Sequence, residues 1–209
     1  IHMLRLLMTL LVLLSCSLNT AADESFIEGQ HYERITPAVK TAEAEGIEVV
    51  EIFWYGCPHC FDFEPHINKW VGEKADDINF RRMPAIFNKS WVPHARAYFT
   101  AEILGVLDVI HPSLFKALHE KRQPIMNEES LQQFFIRNGI SEEDFKTTYH
   151  SFAVDTKTRQ AMAATRDYGI SGVPALIVNG RYWTSARLTG DFESMLKTTD
   201  RLAAKERAR

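Results

Sequence analysis

The sequence predicts an α/β fold that is interrupted by an all-helical block. A strand pattern at 48–55 precedes a helix and a second strand pattern at 78–84. The segment from about 90 to 152 shows only helical spacing of its apolar residues. Asn179-Gly180, a strong hairpin signal, then lies between two apolar runs near the C-terminus. We therefore expect one sheet whose strands lie on both sides of a helical insertion in the chain.

The first predicted unit is strand, helix, strand. Residues 48–55 are rich in β-branched and aromatic side chains, which is typical of a buried strand. Pro58 suits the first turn of a helix, where its missing N–H costs nothing. That helix is expected to reach Trp70 and to kink at Pro65. Residues 78–84 form the second strand.

The helical block contains several amphipathic segments. Its apolar residues at helical spacing are Trp91, Ala95, Tyr98, Phe99, Leu104, Leu114, Phe115 and Leu118. Asn127 and Ser141 are suitable N-caps for two further helices. The block has no strand pattern, which is why it is interpreted as an insertion.

The C-terminal third completes the pattern. Asp155 is a suitable cap for a helix over 157–168, and the apolar run 173–178 leads into the hairpin signal and 181–183. A last helix is predicted at about 191–205. This order of elements is that of a thioredoxin-like fold with an inserted all-helical domain.

We predict that residues 23–88 and 156–209 form the thioredoxin-like domain and that 89–155 form the helical insertion domain. Residues 1–22 are predicted to be a vector remnant plus signal peptide. Without them the formal net charge changes from −3 to −4, because Arg5 is their only charged residue. A mildly acidic chain without a basic stripe argues against nucleic acid as a partner.

The N-terminal segment predicts export to an oxidising compartment. Two residues typical of a cloning remnant precede Met3, and Arg5 precedes an apolar run at 6–14. Small residues at 20–22 suit cleavage by signal peptidase. The apolar run is shorter than the about 20 residues needed to span a bilayer. Cys16 leaves a second interpretation open, because Leu-Leu-Ser-Cys loosely resembles a lipidation site; otherwise Cys16 is removed with the leader.

The pair Cys57 and Cys60 lies directly after the first strand pattern. A bridge across two intervening residues closes too small a loop to stabilise a fold, since that stabilisation grows with loop length. The pair is therefore interpreted as a redox-active site. Cys57 is expected at a helix N-terminus, where backbone N–H groups favour a thiolate. His59 adds a donor, and Pro58 shapes the turn.

These positions predict the direction of exchange. Each unit by which the Cys57 pKa is lowered is worth about 1.4 kcal/mol in favour of thiolate. Only the reduced protein has that thiolate, so the disulfide form becomes a strong oxidant. Cys60, one turn further on, is expected to be more buried and to act as the resolving thiol.

The cysteine pair has two other interpretations, a zinc site and a structural disulfide. A zinc site needs further Cys or His ligands at suitable spacing, and the remaining histidines, His31, His66, His94, His111, His119 and His150, show none. We therefore predict no metal. An inert structural disulfide is disfavoured by the small loop.

Two segments resemble the DsbA family of bacterial periplasmic thiol:disulfide oxidoreductases. The first is EIFWYGCPHC at 51–60, followed by Phe63-Glu64-Pro65. The second is GVPALIVNG at 172–180, which resembles the cis-proline loop of that family with its following strand and turn. The helical insertion has the expected length and place, so the resemblance extends over essentially the whole chain after the leader.

The resemblance implies a function and a site. Cys57 would be the nucleophile of a mixed disulfide and Cys60 the resolving thiol. Pro174 would be cis and face the pair, and Val173 would offer backbone hydrogen bonds to an extended substrate. Substrates would be unfolded, cysteine-containing exported proteins. A DsbB-like quinone-linked membrane oxidase would reoxidise a monomeric periplasmic enzyme, and the chemistry would need no cofactor beyond the disulfide.

Glu51 is an acid within an apolar strand, where it is costly unless it is paired or near solvent. The resemblance implies a place beneath the active site and a role in proton transfer, and Arg82 on the neighbouring strand is the predicted partner. The alternative is a salt bridge at the surface. Trp54 is expected in the core and Tyr55 at the rim of the active site.

Two functions other than a dithiol oxidase stay open. A disulfide reductase or isomerase would share the fold, but the chain lacks both the Gly-Pro dipeptide typical of reductases and the dimerisation domain typical of isomerases. A peptide-binding chaperone would not need the cysteines.

Overall fold

A computed structural model describes residues 26–42 and 45–209. The predicted leader and Cys16 lie outside the described residues. Five strands form one mixed sheet in the order β1-β5-β4-β2-β3. They are β1 (Glu33–Arg34), β2 (Ile47–Phe53), β3 (Ile78–Pro84), β4 (Ala175–Val178) and β5 (Tyr182–Thr184). Only the β2–β3 pair is parallel; the other neighbours are antiparallel.

Strand β2 is buried along its whole length, because both faces of the sheet are covered. Val49 belongs to an apolar cluster with Phe63 and Ile67, whereas Val50 belongs to the cluster shared with the helical block. The continuous run of apolar residues that predicted a buried strand reflects this two-sided packing.

Helix α1 (Pro58–Glu73) begins immediately after β2 and contains Pro65 in its interior. Its buried residues are Cys60, Phe63, Ile67 and Trp70, which recur at helical spacing. This stripe packs α1 against the sheet and leaves its N-terminus at the end of β2.

Six helical elements separate β3 from β4. They are a 3₁₀ turn (Lys89–Trp91), α2 (Val92–Ile103), α3 (Leu107–His119), α4 (Glu128–Arg137), α5 (Glu142–Tyr149) and α6 (Phe152–Asp167). Asn127 and Ser141 cap α4 and α5 as predicted. Helix α6 starts earlier than predicted because Ser151, not Asp155, accepts the first-turn N–H. It therefore runs across the predicted domain boundary at 155, and the exact boundaries stay a prediction.

The C-terminal elements are the β4–β5 hairpin, the short helix α7 (Ala186–Thr189) and α8 (Phe192–Arg207), which Asp191 caps. Asn179 and Gly180 both have positive φ, 52° and 62°, as the predicted tight turn requires. A side chain at Gly180 would also overlap the Val39 carbonyl. Within residues 26–42 and 45–209, no helix combines the length and apolar character of a membrane span.

Candidate active site

The two cysteines sit at the start of α1 in unequal surroundings. Cys57 is the N-cap residue and Pro58 follows in the first turn. The Cys57 backbone N–H donates to the Trp54 carbonyl at 2.9 Å, and the Cys57 carbonyl accepts from the N–H groups of Cys60 and Phe61, each at 3.2 Å. Cys57 is 9% exposed, whereas Cys60 is fully buried. Only the first sulfur can be reached from solvent.

Both cysteines are free thiols here, and their acidities are driven apart. The pKa of Cys57 is lowered to about 6, first by the Cys60 thiol as a hydrogen-bond donor and then by the backbone N–H groups of Cys60 and His59. Burial opposes this shift, and the charge of His59 is the smallest contribution. Burial, followed by the neighbouring Cys57 sulfur, raises the pKa of Cys60 well above its ordinary value. Cys57 is the group that can be a thiolate at neutral pH.

His59 therefore contributes less to the low pKa of Cys57 than the sequence suggested. We expected the helix N-terminus and His59 to favour the thiolate, and both do. The exposed His59 ring nevertheless contributes less than the thiol of Cys60, whose hydrogen bond could not be predicted from spacing alone.

The second motif of the resemblance lies beside Cys57. The Val173–Pro174 peptide bond is cis, as predicted. The Cys57 thiol donates to the Val173 carbonyl at 3.5 Å. His59, Val173 and Pro174 border a cavity of about 600 Å³. The apolar side chains Trp183, Ala186 and Phe192 also line it. Val173 therefore both lines this cavity and accepts the hydrogen bond from the Cys57 thiol.

Glu51 is paired with Arg82, the partner that the sequence predicted. Arg82 Nε lies 2.9 Å from Glu51 Oε2. Glu51 is fully buried, so the alternative of a surface salt bridge is wrong. Burial raises the pKa of Glu51 to about 7, and the charge of Arg82 only partly offsets it. The charge of Glu51 also raises the pKa of Cys60, which places the two groups within electrostatic range.

Tyr55 lies in the core and not at the rim of the active site as predicted, and Trp54 packs against the core but is only partly buried. Tyr55 is fully buried, and its hydroxyl lies 2.9 Å from His111 Nδ1. Trp54 is half-buried and stacks on Trp91 with ring centroids 4.1 Å apart. The expectation was wrong because the helical insertion, which covers this end of β2, decides which side chain is enclosed. His119 of α3 also donates to the Tyr55 carbonyl, at 2.7 Å.

Glu64 and His111 extend the polar cluster around Glu51 and Arg82. His111 Nε2 lies 3.2 Å from Glu64 Oε1, and Arg82 Nε lies 3.8 Å from the same oxygen. In the sequence, Glu64 stands out only as part of the motif that carries the resemblance, and His111 only as a histidine without metal-ligand spacing. Among the residues that the structure describes, no group of three or more His, Cys, Asp or Glu is placed to hold a metal ion.

The fold and the unequal cysteine pair define a thiol:disulfide oxidoreductase with a thioredoxin-like domain. The family model described as DSBA-like thioredoxin domain matches residues 76–197. A relative from Pseudomonas syringae pv. tomato, named thiol:disulfide interchange protein DsbA, is 37% identical over 191 residues, 91% of this chain and 89% of the relative. A relative of the same name from Azotobacter vinelandii is 38% identical over 180 residues, 86% and 84% of the two chains.

Solved structures of DsbA proteins also match this chain. The crystal structure of Pseudomonas aeruginosa DsbA matches with a TM-score of 0.84 and 37% identity, over 90% of this chain and 97% of that chain. The DsbA structure from Xylella fastidiosa matches with a TM-score of 0.81 and 35% identity, over 88% and 98%. The chain belongs to the DsbA family of thiol:disulfide oxidoreductases. The predicted fold, a thioredoxin-like fold with an inserted helical domain, is confirmed.

Proposed function

We propose that this enzyme is a dithiol oxidase that donates the Cys57–Cys60 disulfide to exported proteins as they fold. The direction of disulfide exchange is inferred from the opposite shifts of the two thiol pKa values: that of Cys57 is lowered and that of Cys60 is raised. A stabilised Cys57 thiolate favours the reduced enzyme, so the oxidised enzyme readily gives its disulfide away.

The proposed reaction has two exchange steps. A substrate thiolate attacks the Cys57 sulfur, the Cys57–Cys60 bond breaks, and its electron pair leaves with Cys60, which takes up a proton. A second substrate thiolate attacks the substrate sulfur of this mixed disulfide and releases Cys57 as a thiolate. The substrate loses two electrons and gains a disulfide, and the enzyme is left as the dithiol.

The surroundings have matching roles in this proposal. Glu51 supplies the proton to Cys60, because a carboxyl with a pKa of about 7 is partly protonated at neutral pH. Arg82 stays charged and holds Glu51 in place. His59 and the Pro58 turn support the Cys57 thiolate. Backbone groups of Val173, next to Pro174, would pair with the extended substrate; that substrate would be an unfolded, cysteine-containing protein.

We further propose that the enzyme is a monomer that acts in the periplasm. Its relatives are named DsbA, and members of that family are reoxidised by a DsbB-like quinone-linked membrane oxidase, which would be the second partner here. The redox group is the cysteine pair itself, without a metal or a further cofactor. Residues 23–88 with 156–209, and 89–155, are retained as the proposed domain boundaries.

The test is equilibration of the pair with glutathione buffers, combined with turnover of a reduced, unfolded disulfide protein. A dithiol oxidase should show a potential well above the about −270 mV of reducing thioredoxins, and it should oxidise the substrate. A potential near that of thioredoxin would support the reductase alternative and overturn the proposal.

The Cys57→Ser variant distinguishes a dithiol oxidase from a peptide-binding chaperone. The variant should lose all oxidation of the substrate, because the attacked sulfur is gone. If Cys57→Ser protein prevents aggregation of unfolded chains as well as the unchanged enzyme does, and the unchanged enzyme forms no disulfides, the chaperone function is supported instead.

A further inference from the structure

Arg82 lies between two carboxylates from different elements. Its Nε atom is 2.9 Å from Glu51 Oε2 on β2 and 3.8 Å from Glu64 Oε1 on α1. The Glu51 side chain is fully buried, and the Glu64 side chain is 13% exposed. One positive charge cannot neutralise two carboxylates, and an excess charge in a buried cluster is costly. One of the two acids is therefore favoured to take up a proton.

The hydrogen bonds decide which acid that is. Glu64 Oε1 faces His111 Nε2 at 3.2 Å, and Glu64 Oε2 accepts from Asn68 Nδ2 at 3.1 Å. A neutral His111 with its proton on Nε2 suits both Glu64 and Tyr55. Its Nε2 donates to Glu64, and its Nδ1 accepts from the Tyr55 hydroxyl at 2.9 Å. Both Glu64 oxygens thus have donors that stabilise the carboxylate.

Glu51 has a hydrogen-bond donor on only one of its two carboxyl oxygens. Its Oε2 is bonded to Arg82, but its buried Oε1 has no hydrogen-bond partner. An unpaired buried oxygen disfavours the charged form, so Glu51 is the better place for the proton. Burial opposes ionisation of Glu64 too, yet His111, Arg82 and Asn68 together hold the pKa of Glu64 below its ordinary value.

A second cavity gives this cluster access to solvent. It measures about 300 Å³, and its lining includes Glu64, Arg82, Tyr98, Asp108 and His111. Glu51 does not line it. A proton that leaves Glu51 can therefore be replaced from the side of Glu64 and Arg82, while Glu51 itself stays enclosed next to the active-site helix.

We propose that Glu64 and His111 are positioning residues that make Glu51, rather than Glu64, the acid that protonates the Cys60 thiolate. This inference rests on the proton transfer in the proposed function. In that step the O–H bond of Glu51 breaks, an S–H bond forms on Cys60, and Glu51 becomes a carboxylate beside Arg82. A proton from the second cavity then restores Glu51.

Charged or titratable groups act on Glu51 from three neighbouring elements: Arg82 from β3, Glu64 and Cys60 from α1, and Tyr98 from α2. His111 from α3 contacts Glu64. Tyr98 donates to the Arg82 carbonyl at 3.2 Å. Strand β4 offers only Leu176 opposite Glu51. The competition for Arg82 is therefore between Glu51 and Glu64.

The test follows the Glu51 carboxyl by NMR of protein labelled with ¹³C in its glutamate carboxyl groups, with Glu51→Gln to assign the signal. The pH dependence of mixed-disulfide formation is measured in parallel. Glu64→Gln removes the competing anion and leaves Arg82 to Glu51. We expect the Glu51 midpoint to fall by about one unit or more and the rate profile to move to lower pH by the same amount.

His111→Phe is the second variant, in case Glu64→Gln folds poorly. It removes the donor to Glu64, so Glu64 becomes the easier acid to protonate and the Glu51 midpoint again falls. His111→Gln keeps an N–H donor and should restore part of the original midpoint. Glu128→Gln is the matched control, because Glu128 pairs with a histidine, His150, at 2.7 Å on the surface and is not part of this cluster.

An unchanged Glu51 midpoint in both Glu64→Gln and His111→Phe would overturn the inference. Failure of the proposed proton transfer would look different. In that case Glu51→Gln itself would leave the rate and its pH profile unaltered, whatever the behaviour of the Glu64 variants.

Discussion

The Cys57 thiol donates to the carbonyl oxygen of Val173 at 3.5 Å, although 116 residues separate the two in the chain. Strands β2 and β4 are direct antiparallel neighbours, with Ile52 opposite Ala175. The end of β2 that leads into Cys57 therefore meets the loop that enters β4. The order of strands in the sheet builds the site from two distant motifs.

The first prediction concerns the Cys57 pKa. Ultraviolet absorbance of the thiolate in the reduced protein should titrate with a midpoint of about 6. Cys60→Ala removes the strongest donor to the Cys57 sulfur and should raise that midpoint by about one unit or more. His59→Ala should raise it by less, because the His59 charge is the smallest contribution.

Cys57→Ser serves as the control, since it should abolish the titration in this range. A larger shift in His59→Ala than in Cys60→Ala would show that the order of these contributions is wrong.

The second prediction concerns stability and pH. The Cys57 pKa is lower in the folded reduced protein than in the unfolded chain, so the contribution of Cys57 to the stability of the reduced form increases as pH rises from about 6 to about 9. The gain over this window is up to about 4 kcal/mol, at about 1.4 kcal/mol per unit. It is lost as pH falls through 6, and the oxidised form, which has no thiolate, should lack it.

Urea unfolding of the reduced and oxidised proteins across this pH range measures the difference. Above about pH 9 the raised Cys60 pKa acts in the opposite direction, so the comparison ends there. Parallel pH dependence of the two forms would contradict the prediction.

The third prediction concerns Gly56, the residue before Cys57. A Cβ atom there would overlap the Trp54 indole ring. That ring cannot easily retreat, because it stacks on Trp91 with an interplanar angle of 5°. Gly56→Ala should therefore destabilise the protein by about 1–3 kcal/mol, as overpacking does, and it should disturb the Cys57 loop.

Gly72→Ala is the matched control. Gly72 lies in α1 with open space around its Cβ position, so alanine there should be neutral or stabilise by up to about 1 kcal/mol. Thermal unfolding of the two variants tests the pair; equal effects would rule out the steric explanation.

Local features were predictable where a few neighbouring residues decide them. Strand β3 occupies 78–84 as predicted, Asn179 and Gly180 form the hairpin turn, and Asn127 caps α4. Helix α6 shows the limit of such local signals. Ser151 and Asp155 are both acceptable caps, and the chain uses the first.

Side-chain placement around the site was less predictable. Trp54 and Tyr55 are adjacent and both aromatic, so nothing in the strand pattern shows which one the insertion will enclose. The neighbours that decide it, Trp91 for one and His111 for the other, come from elements far along the chain.

The sequence by itself determined the chemistry of this protein. The cysteine pair at a helix start follows from residue types at short spacing, whereas the Val-Pro loop and the pairing of Glu51 with Arg82 follow from the resemblance to a known family. Only the tertiary structure decided how these groups act. The acidity of Cys57 depends on the Cys60 thiol, and the state of Glu51 depends on its burial and on the charges of Arg82 and Glu64. Electrostatic effects of this kind vary with distance and burial, which packing between distant segments sets.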